Sequence, residues 1–303
     1  MLKKPLVSTS NQRVRILINP SSGMGFALDR IRDALMEHWD LPGTELSLQF
    51  SKSKEDGQAK ARRAVEEGVG RLLVIGGDGF VNNIGSVLIG TDVALGVIPA
   101  GSGNGFARHF DIPLDLVKAT VALASAEIQP IDVGVANGHP FFVTCSLAWD
   151  AALVRVFDKS PVRGVLPYVF AAVYELFEYT PEPFTLLIDG EEEIIIEDPI
   201  LCTIANLTQY GGGAQIAPGA RADDGKLQLV TLRQRDVPWF IPMLGKLFDG
   251  TIDRIHEIHT RSFRTLTVRR KKEGPMQIDG ELLSAPAKVE ISVRPCALTV
   301  LVP

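Results

Sequence analysis

The sequence predicts two domains of different class: an N-terminal α/β domain on a doubly wound parallel sheet, then an antiparallel, β-sandwich-like domain. Three observations carry this. Strand-like and helix-like segments alternate through the first 129 residues, the pattern of crossovers on a mostly parallel sheet. After Gln129 short strand-like runs dominate. Two of those runs are broken by Asn137-Gly138 and Asp189-Gly190, dipeptides that suit a two-residue hairpin turn. The expected domains are 1–129, nucleotide-binding, and 130–303, β-rich, with the extreme C-terminus able to pack back on the first.

In the first half the strand-like runs are VRILIN (14–19), ELSLQF (45–50), RLLVIGG (71–77) and ALGVIPAG (94–101). Helical spacing appears between them, with Leu28, Ile31 and Leu35 in one segment and Ala61, Ala64 and Val65 in the next. A further helix is expected over 114–127. In the second half IDVGVANGHPFFVT (131–144) and FTLLIDGEEEIIIE (184–197) read as hairpins. KLQLVTL, RTLTVRR, KVEISVRP and ALTVLVP read as strands, and two helices are expected, over 163–179 and 238–249.

Composition narrows the function. A formal net charge of -5 argues against a general nucleic-acid binder, and no nucleic-acid partner is expected. Cys145, Cys202 and Cys296 form no CxxC pair, which favours reduced thiols over a disulfide frame or a zinc site. No run approaches the roughly 18 apolar residues of a membrane span. The N-terminal MLKKPLVSTSNQR lacks the apolar core of a secretory signal, so a cytoplasmic protein is expected, with membrane contact only at the periphery.

Ligands of an open parallel sheet bind beyond the carboxyl ends of its strands. Three loops fall there: NPSSGMG (19–25), GGDGFVNN (76–83) and PAGSGNGFARH (99–109). Glycines allow close backbone approach, and a following helix offers free N–H groups at its positive end. One such loop could be a tight turn and nothing more; three together point to a polyphosphate site. No P-loop lysine motif occurs, Phe106 breaks a dinucleotide fingerprint, and Ser102 lies in no nucleophile elbow. Asp78 is then the puzzle, since a carboxylate should repel phosphate.

At these residues the chain resembles the diacylglycerol kinase catalytic-domain superfamily, which includes bacterial lipid kinases and sphingosine kinases. The shared segments are Asn19 to Gly23, Gly76 to Asn83 and Pro99 to Asn104, followed by YGGGAQIAPGARADDGKLQLV (210–230) and MQIDGELL (276–283). The resemblance implies ATP in a cleft between the domains, Mg²⁺, and transfer of the γ-phosphoryl to a lipid hydroxyl. It places nucleotide-binding residues at Asn19, Pro20, Ser21, Ser22, Gly23, Ser53, Gly76, Gly77, Asp78, Gly79, Asn82, Gly101, Ser102 and Asn104. It places a structural magnesium site on the carboxylate of Asp224 and the carbonyls of Arg221 and Lys226, and the general base at Glu281. Three residues depart from the family pattern: Phe80, Asn83 where Glu is usual, and Gly105 where the diacylglycerol branch has Asp.

With Mg²⁺ present, Asp78 and the phosphates attract through the cation, so Asp78 takes a metal or hydroxyl-orienting role beside Glu281. Alternation along QIDGE sets Asp279 and Glu281 on one face of a strand or turn. Asn82 and Asn83 are expected to face solvent or ligand, opposite Val81, Ile84 and Leu88. The partners expected are a lipid substrate and a membrane touched transiently, through DVPWFIPMLGKLF (236–248) and the basic RSFRTLTVRRKK (261–272); the alternative for these stretches is a core helix and a solvated hairpin. A homodimer stays open. An NAD kinase-type phosphotransferase and an inert nucleotide or lipid sensor are the competing readings.

Overall fold

A computed structural model of the protein describes residues 12–22, 27–40, 42–151 and 179–303. In chain order the first elements are β1 (Gln12–Ile18), a 3-10 turn (Pro20–Ser22), α1 (Ala27–His38), β2 (Thr44–Phe50), α2 (Lys54–Glu66), β3 (Arg71–Gly76), α3 (Asp78–Leu88), β4 (Ala94–Pro99), α4 (Gly105–His109) and α5 (Leu116–Ala124). Strands β5 (Glu127–Ala136), β6 (His139–Phe141), β7 (Thr144–Ser146), β8 (Phe184–Ile188), β9 (Glu192–Ile196), β10 (Pro199–Ala205), β11 (Gln209–Gly211), β12 (Ala214–Gln215) and β13 (Leu227–Arg233) follow. The chain then forms α6 (Val237–Phe240), 3-10 helices Ile241–Leu247 and Ile252–Arg254, β14 (His259–Phe263), β15 (Thr265–Arg269), β16 (Gly274–Ile278), β17 (Glu281–Ala285) and β18 (Lys288–Val302).

The chain divides into two compact units. One gathers the chain up to Gly101 with Phe110–Gln129 and Leu298–Pro303; the other gathers Ser102–His109 with Pro130–Ala297. In the first, β2, β1, β3 and β4 lie side by side and parallel, and β18 joins β4 at the pair Val300–Leu95. Every residue of β4 is buried, whereas β2, at the edge, alternates between half-buried and exposed. Two helix pairs cover this sheet, α1 on α5 and α2 on α3. Trp39, just past α1, seals the first pair: its indole N–H donates to the Thr120 carbonyl at 2.9 Å.

The second unit is the antiparallel sandwich. One sheet runs β14-β13-β10-β7-β16-β17, and the other continues from β18 through β15 and β8 to β9. The core lies between them: Cys202, Leu229, Met276 and Ile278 of the first sheet form one cluster with Leu186, Val268, Val289 and Ile291 of the second. Asn137-Gly138, Asp189-Gly190 and Asp279-Gly280 all have both residues at positive φ, the geometry of a type I′ turn.

One expected helix lies outside the described residues, and one takes another form. The helix expected over 163–179 falls, except for Tyr179, outside the described residues. The helix expected over 238–249 is a four-residue α turn that tightens into a 3-10 helix. Pro238 and Pro242 supply no N–H to an α-helical ladder, and Pro242 comes where a second α turn would need one. No helix among the described residues is long and apolar enough to cross a membrane.

Candidate active site

The loop after β1 is an Asx turn. The side-chain oxygen of Asn19 accepts the Ser21 N–H at 3.1 Å, its carbonyl accepts that of Ser22, and its own N–H donates to the Ile75 carbonyl of β3. Asn19, Pro20, Ser21 and Ser22 are thus held as one short turn against the neighbouring strand; Gly23 lies outside the described residues.

The loop after β3 has almost no length. Gly76 ends the strand, Gly77 caps α3 without a side chain, and Asp78 and Gly79 are the first two helical residues. A carboxylate in the first turn faces the positive end of the helix dipole. A Cβ on Gly77 would stand 3.1 Å from the Cα of Gly101, so this loop and the one after β4 touch backbone to backbone. A Cβ on Gly76 would stand 2.6 Å from the Phe80 ring, so glycine there makes the room that Phe80 occupies.

Asn82 is half-buried on α3, and its carbonyl accepts the Ser86 hydroxyl at 2.6 Å. Asn83 corrects the sequence reading: it is buried and ties α3 to α2. Its amide donates to the Lys54 carbonyl, and its side-chain oxygen accepts from Gln58, each at 3.0 Å. Ser53 is the N-cap of α2, accepting the Asp56 N–H at 3.2 Å and donating to Glu55 at 2.8 Å.

Past Gly101 the third loop belongs to the second unit. Ser102 is exposed, while Asn104 is buried at a φ of 52° and its carbonyl accepts the first helical N–H of α4, from Arg108. The Gly103 carbonyl receives two donors, Gly212 N–H at 2.9 Å and Arg108 Nε at 3.2 Å. A Cβ on Gly211 would stand 3.0 Å from the Gly103 Cα, and Gly211 itself has a φ of 117°. Here glycine is required both by conformation and by contact.

Further along the second unit, Arg221, Asp224 and Lys226 lie on an exposed turn, where an Asp224 oxygen accepts the Lys226 N–H at 3.0 Å. The turn is pinned from beneath by fully buried Asp132, which accepts the N–H of Gly225 at 2.6 Å and of Cys296 at 2.8 Å. Its donor set for a cation, one carboxylate and main-chain carbonyls, is all oxygen and fits a hard ion such as Mg²⁺.

Asp279 and Glu281 part company. Asp279 is buried in the β16–β17 turn, and its carboxylate accepts three successive N–H groups: Phe142 at 2.7 Å, Val143 at 2.8 Å and Thr144 at 3.0 Å. Glu281 opens β17, half-buried, opposite Ile278. The two acids differ in burial: Asp279 is spent on main-chain N–H groups, while Glu281 stays half-buried at the start of the next strand.

Residues 13–136 match the family model of the diacylglycerol kinase catalytic domain, and 144–302 that of the YegS C-terminal NAD kinase beta sandwich-like domain. A diacylglycerol kinase of Mycobacterium tuberculosis (strain H37Rv) is 32% identical over 303 residues, covering 96% of this chain and 95% of that protein. The chain belongs to the diacylglycerol kinase family. A diacylglycerol kinase of Bacillus subtilis is 27% identical, covering 89% and 90% of the two chains. The same fold occurs in a crystal structure of a diacylglycerol kinase from Bacillus anthracis, with a TM-score of 0.76, 20% identity and 98% of each chain covered. Membership makes this protein a lipid kinase in the general sense.

This diacylglycerol kinase family member also holds a buried polar frame that sequence reasoning missed. Asp150 accepts the Thr203 hydroxyl at 2.5 Å, that of Tyr210 at 3.2 Å, and the N–H groups of Ala148 and Ala151. Burial pushes its carboxyl above the usual range, against the lowering effect of these donors. Burial, reinforced by the charge of Asp150, raises the Tyr210 phenol well above its ordinary value. Tyr210 opens the Gly211–Gly213 turn, so the frame fixes the base of the turn that backs Gly103. Arg270 is spent on carbonyls, those of Leu147, Gly274, Pro275 and Ala285 among them, and burial lowers its pKa.

Proposed function

We propose that the protein is an ATP- and Mg²⁺-dependent kinase whose acceptor is a lipid alcohol such as diacylglycerol or a sphingoid base, acting in the cytoplasm. The observation that carries this is the pair of glycine loops after β3 and β4, packed backbone to backbone at Gly77 and Gly101, with Asp78 in the first turn of α3. Glycines packed this closely let a phosphate approach the main chain, and the start of α3 offers it the positive end of a helix.

In this reading Asn19, Pro20, Ser21, Ser22, Gly76, Gly77, Gly79, Asn82, Gly101, Ser102 and Asn104 hold the nucleotide, with Ser53 nearby and Gly23 completing the first loop. Asp224 with the carbonyls of Arg221 and Lys226 would hold a structural magnesium. Asp78 would hold a second Mg²⁺, which when bound would supply the positive charge that offsets carboxylate and phosphate. Glu281 takes the proton of the acceptor hydroxyl; that oxygen bonds to the γ-phosphorus as the bond to the β-phosphate oxygen breaks, and ADP leaves.

Labelled ATP offered with diacylglycerol, sphingosine and NAD should deliver its label to a lipid. Label on NAD alone would make this an NAD kinase-type enzyme, and label on none would leave a sensor. Asp78 gives a sharper test, because its effect should change sign. Without Mg²⁺, Asp78→Asn removes a like charge and should bind ATP as well as the unmodified protein or better. With Mg²⁺, transfer should slow about 10²-fold or more, the scale of losing one electrostatic group at a transition state. Calorimetric titration of ATP with and without Mg²⁺, alongside turnover, measures both; unchanged affinity and turnover would leave Asp78 a purely structural helix-start residue.

A further inference from the structure

The segment from Val237 to Phe248 divides its apolar side chains between two environments. Val237 and Phe240 are buried in a core cluster, and Ile241, Leu244 and Leu247 pack against it. Trp239, Met243 and Phe248 stay 68%, 40% and 51% exposed, and no large apolar side chain among the described residues is more exposed than Trp239. The exposed three ride on a base anchored from below, and one of them, Phe248, adjoins the glycine turn. A Cβ on Gly213 would lie 4.0 Å from Phe248 Cδ1 and 3.6 Å from Arg108 Nη1. Two residues back, Gly211 and Gly212 rest on Gly103. One turn thus joins the apolar rim to the third glycine loop.

Charge within the segment itself is balanced. Between Gln234 and His256, Arg235, Lys246 and Arg254 are matched by Asp236, Asp249 and Asp253. In the basic stretch 261–272, Arg264, Arg269 and Lys271 are exposed, and the other three cations are engaged. Arg261 pairs with Glu192 at 3.1 Å and Lys272 with Glu182 at 2.7 Å, while Arg270 clamps carbonyls.

We propose that Trp239, Met243 and Phe248 form the edge of the protein that enters a lipid bilayer, and that it is held by apolar insertion rather than by attraction to anionic headgroups. This rests on the lipid-kinase reading, since an acceptor with long acyl chains must be met where it resides. An indole suits the bilayer interface, with an apolar body and one N–H for the headgroup layer. Apolar insertion is barely screened by salt, whereas headgroup attraction falls within a Debye length. With Phe248 among the acyl chains, the Gly211–Gly213 turn sits at headgroup depth, beside the loop of Gly103.

The test is sedimentation with vesicles of phosphatidylcholine alone, and of phosphatidylcholine mixed with phosphatidylglycerol, at low and high salt. The unmodified protein should bind both with similar strength at either salt, and brominated phosphatidylcholine should quench its exposed tryptophan. The double variant Trp239→Ser/Met243→Ser should lose at least about tenfold in partitioning, from the apolar area withdrawn. It should keep full transfer to a short-chain diacylglycerol dispersed without a bilayer. Unchanged partitioning in the variant, or binding that needs phosphatidylglycerol and vanishes at high salt, would overturn the proposal. So would a dimer that the double substitution splits, since the rim would then be an interface between two copies. If the unmodified protein binds vesicles and is quenched yet phosphorylates no lipid, the kinase reading fails and the surface stands.

Discussion

Glu281→Gln is expected to lower turnover by about 10²–10⁴-fold, the usual worth of a general base, while leaving thermal stability and ATP affinity unchanged. The side chain keeps its size and its place at the start of β17, opposite Ile278. What it loses is the capacity to take a proton. Single-turnover transfer, with a thermal melt on the same sample, reads both quantities. Near-normal transfer when chemistry is limiting would remove Glu281 from the role of base.

Two residues away the expected effect is the opposite. Asp279→Ala strands the N–H groups of Phe142, Val143 and Thr144, all of which now end on one buried carboxylate. An unmet buried donor costs about 1–3 kcal/mol, so the three together cost at least about 3 kcal/mol. For a unit of this size that lowers the melting temperature by roughly 10 °C. Asp279→Asn keeps one acceptor oxygen and tolerates the positive φ, so it should fall between. If Asp279→Ala melted normally but lost transfer, the chemistry would belong to Asp279 and not to Glu281.

The contrast between these neighbours shows what a sequence can disclose. In the parallel half the signals are local: alternation of strands and helices and glycines at strand ends, each settled within a few residues. The turns at Asn137-Gly138 and Asp189-Gly190 are equally plain from those dipeptides. The partners of Asp279 lie more than a hundred residues upstream and are main-chain atoms of no particular residue type, so nothing in QIDGE announces them. Asp150, joined to Thr203 and Tyr210, is hidden for the same reason. Strand β10 also escaped notice, since all seven of its residues are buried and it shows neither alternation nor helical period. Asn83 looked like a loop-side residue because helical phase alone does not reveal that α2 covers that flank.

Strand β18 gives the protein an unusual order of completion. Its last residues pair with β4, the otherwise open side of the first unit's sheet, yet they leave the ribosome only after the whole of the second unit. At ordinary synthesis rates β4 waits on the order of ten seconds or more for that neighbour. During the wait a strand that is wholly apolar in the finished protein presents an unpaired edge, the kind of surface on which nascent chains aggregate. The unit made first is finished last.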